Sequence, residues 1–98
     1  MSPDAVKAML LPHVAELKNG GILRLAIFGS VARDEAGERS DVDLLTDFDR
    51  NKRLTAFDKA GLEVRISEIL HMPVELCDRH LMKADVRVRA EREALVVF

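Results

Sequence analysis

Ile22-Leu23-Arg24-Leu25-Ala26-Ile27-Phe28 runs directly into Gly29-Ser30-Val31-Ala32-Arg33, and Ser40-Asp41-Val42-Asp43-Leu44 follows a short polar connection. The first seven residues form a mostly apolar run of the kind that suits a buried strand. Gly29-Ser30 stops that strand, and Val31-Ala32-Arg33 reads as a short helix that Gly37 ends. A strand that turns through glycine into a helix is a ready anion site. Glycine lets backbone approach a phosphate, while helical N–H groups and the helix dipole favour negative charge. The Ser30 hydroxyl can add a hydrogen bond. Arg33, three residues on, falls on the same helix face and can fork onto phosphate oxygens. Taken alone, Gly-Ser is an ordinary strand-to-helix turn, and the acidic strand beyond it carries the weight.

Ser40-Asp41 introduces a second strand, Val42 to Thr46, on which Asp41 and Asp43 share one face while Val42 and Leu44 take the core side. The two carboxylates stand roughly 6–7 Å apart at strand spacing. Their repulsion is about 2.5 kcal/mol at an effective dielectric near 20. A divalent cation between them relieves that cost, and carboxylate oxygens are the donors Mg²⁺ prefers. Glu75, within a third strand Val74 to Cys77, offers a further carboxylate on the face opposite Val74 and Leu76. Two or three such groups on adjacent strands can hold a pair of metals. An isolated Asp-X-Asp is more often a polar strand face; beside the Gly-Ser-X-X-Arg turn, metal binding becomes the better reading.

The remaining pattern is helical. Ser2-Pro3 reads as an N-cap with proline in the first turn, and Val6, Met9, Leu10, Val14 and Leu17 recur at helical spacing up to Asn19-Gly20-Gly21. Leu54, Phe57, Leu62, Ile66, Ile69 and Leu70 mark a helix over Lys52 to Leu70, broken by His71-Met72-Pro73. Asp78 reads as the cap of a last helix carrying Leu81, Ala84, Val88 and Leu95. Val96-Val97-Phe98 suits a short edge strand or a docking segment. Alternating helices and strands predict an α/β (α+β) architecture with a small sheet and helices packed on it, its strand order left open.

The 98 residues predict a single domain over 1–98 with one modest core. With a net charge of -2, no Trp, no Tyr and four Phe, the chain has neither the basic surplus nor the stacking platform of a polynucleotide binder. No apolar run is long enough to span a bilayer and no signal-peptide pattern opens the chain, so no membrane is expected. The lone Cys77 excludes an internal disulfide, fits a reducing cytoplasm, and reads as packing. His13, His71 and His80 lack ligand-like spacing, which argues against zinc. The basic run Arg79 to Arg92 is interleaved with Asp85, Glu91 and Glu93 and reads as a solvated helix face. Asp47, Asp49 and Asp58 read as turn and surface residues, with Asp47 able to neighbour the metal ligands.

Gly29-Ser30-Val31-Ala32-Arg33 with Ser40-Asp41-Val42-Asp43-Leu44 resembles the signature of the DNA polymerase beta-like nucleotidyltransferase superfamily, and within it the minimal nucleotidyltransferases. The resemblance covers nearly the whole chain and implies a small mixed sheet. It implies that Gly29 and Ser30 bind nucleotide phosphates with Arg33 beside them, and that Asp41 and Asp43 hold Mg²⁺. Glu75 matches the third catalytic carboxylate, usually aspartate in this family and here one methylene longer. With no room for a domain that grips an acceptor, the acceptor must be small or presented by another protein. The resemblance implies the latter: AMP passes from ATP to a tyrosine of a HEPN-domain toxin, for which the chain is the antitoxin. Self-modification on tyrosine is excluded by composition. A rival expectation is an antitoxin that neutralises by binding alone, suggested by Glu75 and by the apolar tail Leu95 to Phe98; a homo-oligomer or a hetero-complex fits either.

Overall fold

The computed structural model describes residues 2–35, 37 and 41–98. Ser40, expected to introduce the second strand, lies outside them. Helix α1 (Pro3–Leu10) is capped by Ser2, whose Oγ accepts from the Ala5 N–H at 3.2 Å, with Pro3 in the first turn. The single helix expected as far as Leu17 is cut by a 3₁₀ turn at Leu11–His13 before α2 (Val14–Asn19). Pro12 is the physical cause, since it has no N–H to continue the α-helical ladder.

Strand β1 (Ile22–Phe28) falls where the apolar run predicts it, and buries Ile22, Leu25 and Ile27. The one-turn helix α3 (Gly29–Ala32) follows directly. It stops well before Gly37, because Asp34 turns into the left-handed region at φ 57°. Strand β2 (Val42–Phe48) is two residues longer than predicted. Helix α4 (Ala56–Leu70) starts later than Lys52 because Thr55 closes a capping box. The Asp58 N–H donates to Thr55 Oγ1 at 3.2 Å, and the Thr55 N–H donates to Asp58 Oδ2 at 2.7 Å.

Strand β3 (Val74–Asp78) corrects the reading of Asp78 as a helix cap. Asp78 ends the strand, and its Oδ1 accepts from the His80 N–H at 3.0 Å to form a turn. The last helix, α5, begins only at Ala84 and ends at Glu93. Leu95, expected on that helix, instead opens β4 (Leu95–Val96), which realises the edge-strand alternative for the tail.

The sheet has the order β3-β2-β1-β4. Strand β1 is antiparallel to β2 and β4, whereas β2 and β3 run parallel with α4 as the crossover. Because registered neighbours share a face, Leu25, Ile27, Val42, Leu44 and Leu76 form one side, fully or almost fully buried with Val6, Leu10, Ile66 and Leu70 of the helices. Thr46 is the buried polar exception, and its hydroxyl donates to the Leu44 carbonyl at 3.1 Å. The other side carries Ala26, Phe28, Asp43, Leu45, Asp47, Glu75 and Cys77. Among the described residues no helix is long and apolar enough to cross a membrane.

Candidate functional site

The end of β1 and the start of β2 build the site. Phe28 pairs with Asp43, and Asp43 pairs with Glu75 across the parallel ladder, so the two carboxylates are neighbours on the sheet side away from the core. Gly29, one residue beyond Phe28, adopts φ +74°. A Cβ added there would lie 2.7 Å from Asp43 Oδ2. The glycine is therefore required twice, by its left-handed backbone and by the carboxylate seated against it. Asp41 stands exposed just before β2.

This crowding has an electrostatic signature. The pKa of Asp43 is raised, first by burial, then by the charge of Glu75 and then by that of Asp41, while Arg33 acts in the opposite direction. Two negative charges thus gather around one half-buried carboxyl, and a positive charge placed among the three acids would stabilise its ionised form. Among the described residues no three His, Cys, Asp or Glu side chains close tightly enough to form a finished metal site. What fits Mg²⁺ is the donor chemistry: hard carboxylate oxygens, one of them packed on a glycine that leaves room beside it.

Ser30 lies half-buried in the first turn of α3. With four residues, α3 offers backbone N–H groups and little macrodipole. Arg33 lies just past its end, with Nε 3.0 Å from Glu35 and Nη1 3.0 Å from Glu93 of α5, and these partners raise its pKa. Glu93 is a site neighbour that sequence reasoning missed, because a contact 60 residues away leaves no local signal.

Farther along the same face, Ala26, Leu45 and Asp47 line a cavity of about 580 Å³ with Arg79 and Glu91, which are paired to each other. It does not include Asp41, Asp43 or Glu75. His80 Nε2 lies 3.2 Å from Asp47, His13 is near Glu16 at 3.5 Å, and His71 ends α4. The histidines are therefore scattered, as their spacing predicts. Burial first, and then the charges of Glu75 and Asp43, push the Cys77 thiol up to about 11, so it stays protonated and inert.

Residues 9–97 match the nucleotidyltransferase domain family. The chain is 32% identical over 95 residues to the protein adenylyltransferase MntA of Thermococcus cleftensis, covering 96% of this chain and 94% of that protein. Its fold is similar to a solved structure described as a minimal nucleotidyltransferase, with TM-score 0.82 and 30% identity over 97% of this chain and 95% of that one. A likeness in fold alone, at TM-score 0.66 and 13% identity over 94% of this chain and 71% of the other, extends to a chain in the complex of a tri-AMPylated Shewanella oneidensis HEPN toxin with its MNT antitoxin. With the Gly-Ser turn set against paired strand carboxylates, these matches show that the chain belongs to the minimal nucleotidyltransferases and is an enzyme of that family.

Proposed function

We propose that this nucleotidyltransferase moves AMP from ATP to a tyrosine hydroxyl of a HEPN-domain toxin, and acts as that toxin's antitoxin. One observation carries the reading: Asp43 is pressed against Gly29 at the turn that would face the phosphates, with Glu75 registered beside it. The adenylyl-transferase relative and the AMPylated toxin complex support the choice of AMP and of a protein acceptor.

In this mechanism the acceptor oxygen bonds to the α-phosphorus as the α–β phosphoanhydride breaks, and pyrophosphate leaves. The backbone at Gly29 and the Ser30 hydroxyl hold the triphosphate, and Arg33 exchanges its carboxylate partners Glu35 and Glu93 for phosphate oxygens. Asp41, Asp43 and Glu75 would hold Mg²⁺, which when bound neutralises the triphosphate and activates the acceptor hydroxyl. Glu75, exposed beside Asp43, takes the acceptor proton in this reading. The enzyme's contribution is positioning and fixed charge, with no covalent intermediate.

The binding-only alternative draws less support from the tail. Leu95–Val96 pairs with β1, and Val97 is buried in the chain's own core. The test uses ATP labelled at the α-phosphate, Mg²⁺ and the HEPN protein encoded alongside, comparing wild type with Asp43→Asn on a denaturing gel. Label on the partner with wild type only is the expected result. Toxin neutralised equally by both, with no label from either, sinks the enzymatic reading.

A further inference from the structure

A second feature lies at the opposite end of the sheet from Asp43, and on its other side. Phe48, at the end of β2, is five residues from Asp43, roughly 17 Å at strand spacing. There a groove of about 560 Å³ opens between the β2–α4 connection and the turn after β3. Four cations line it, Arg50, Lys52, Arg53 and Lys59, against the two carboxylates Asp49 and Asp78.

Each of those carboxylates has one oxygen bonded to backbone. Asp49 Oδ1 accepts from the Asn51 N–H at 3.0 Å, and Asp78 Oδ1 accepts from the His80 N–H at the same distance. The nearby Asp58 is held by Thr55. Among the described residues none of the four cations forms an ion pair; Lys52 instead donates to the Asn19 carbonyl at 2.8 Å. The groove is also firmly built. The Asp49 N–H donates to the Gly21 carbonyl at 2.8 Å, and Leu54 packs so closely on Gly21 that a Cβ there would meet it at 2.7 Å.

One of the two most exposed large apolar side chains among the described residues lines this groove. It is Leu81, 83% exposed, in the turn after β3. Cations without ion-pair partners among the described residues, around a firm groove with an exposed apolar anchor, match a protein surface that presents carboxylates around an apolar residue. We infer that this basic groove docks an acidic, amphipathic segment of the acceptor protein, a reading that rests on the proposed protein acceptor. The contact lies away from the carboxylates, so it can hold the partner while leaving the Asp43 face open to nucleotide and hydroxyl.

The test measures binding of the HEPN partner by calorimetry at low and moderate salt, and AMP transfer separately. Arg50→Glu with Arg53→Glu is expected to weaken binding at least tenfold and to flatten its salt dependence. Leu81→Ser is expected to weaken it severalfold with the salt dependence retained. Both changes are on exposed side chains, so circular dichroism should match wild type. Asp43→Asn should bind as wild type does, which separates this inference from the catalytic one: lost binding in the groove variants upholds it even where no AMP is transferred. Where transfer occurs, the groove variants should raise KM for the partner and keep kcat. Unchanged partner affinity in R50E/R53E overturns the inference. So does loss in those variants of binding to a short single-stranded RNA, or of self-association, while partner affinity stays as in wild type.

Discussion

Replacing Gly29 by alanine is expected to damage catalysis far more than folding. The backbone there has φ +74°, and the new Cβ would stand 2.7 Å from Asp43 Oδ2. A left-handed conformation costs an ordinary residue about 1–2 kcal/mol. The lower entropy of the unfolded alanine chain returns about 0.4–1 kcal/mol of that. The net loss is about 1 kcal/mol, which lowers Tm by about 4–8 °C in a domain of this size. The close contact is with a side chain, so it is relieved by turning the Asp43 carboxylate away. A displacement near 1 Å at a reacting centre costs about 100-fold in rate. Gly61 supplies the control: it lies within α4, and a Cβ there meets nothing within 4 Å. Gly61→Ala should raise Tm by a few degrees, from about 1 kcal/mol of helix propensity, and leave transfer untouched. Thermal unfolding by circular dichroism and labelled-AMP transfer well below both transitions measure the two effects. Gly29→Ala with wild-type transfer would refute the seating of Asp43 against the turn.

Asp43→Asn should abolish transfer yet hold Tm at or above wild type at pH 7. Because its pKa is raised in the fold from the ordinary 3.8, the stability it contributes is present at low pH and lost as pH rises through the folded value. The advantage of asparagine should therefore shrink in acid, as followed by Tm against pH, and Mg²⁺ should raise Tm in wild type only. Thr55→Ala removes the α4 cap and should cost about 1 kcal/mol in denaturant unfolding, with kcat unchanged. Deleting Leu95 to Phe98 removes the buried Val97 and its N–H bond to the Leu25 carbonyl at 2.8 Å. Burial of one such side chain is worth about 1.5–3 kcal/mol, so the truncated chain should melt at least ~6 °C lower. Lost neutralisation would then report unfolding and not a lost docking tail.

What was legible locally came from alternation and from chain-breaking residues. Ile22 to Phe28 declares a buried strand by its own composition, and Val42, Asp43 and Leu44 declare their two faces, whereas Asp41, expected on the strand, stands just before it. Boundaries set by side chains reaching back to backbone were harder. Asp78 has the right chemistry to cap a helix, yet the ladder with Thr46 extends β3 through it and its carboxylate closes a turn instead. Thr55-Ala56-Phe57-Asp58 contains a capping box, but Leu54 at helical spacing drew the expected start to Lys52, ahead of that box. The strand order, the bond from Arg33 to Glu93 and the basic groove depend on residues brought together from distant parts of the chain, and no window of sequence records them.

The parallel register of β2 and β3, held by the ladder and by the buried Leu44 and Leu76, sets Glu75 opposite Asp43. Slipping that register by one residue would send Glu75 inward and Leu76 outward, so the spacing of the two acids is inherited with the ladder itself. Surface residues elsewhere are then free to drift across generations without retuning the chemistry. On the inferred docking at the far side of the sheet, partner recognition can then be remodelled without disturbing the spacing of the two acids.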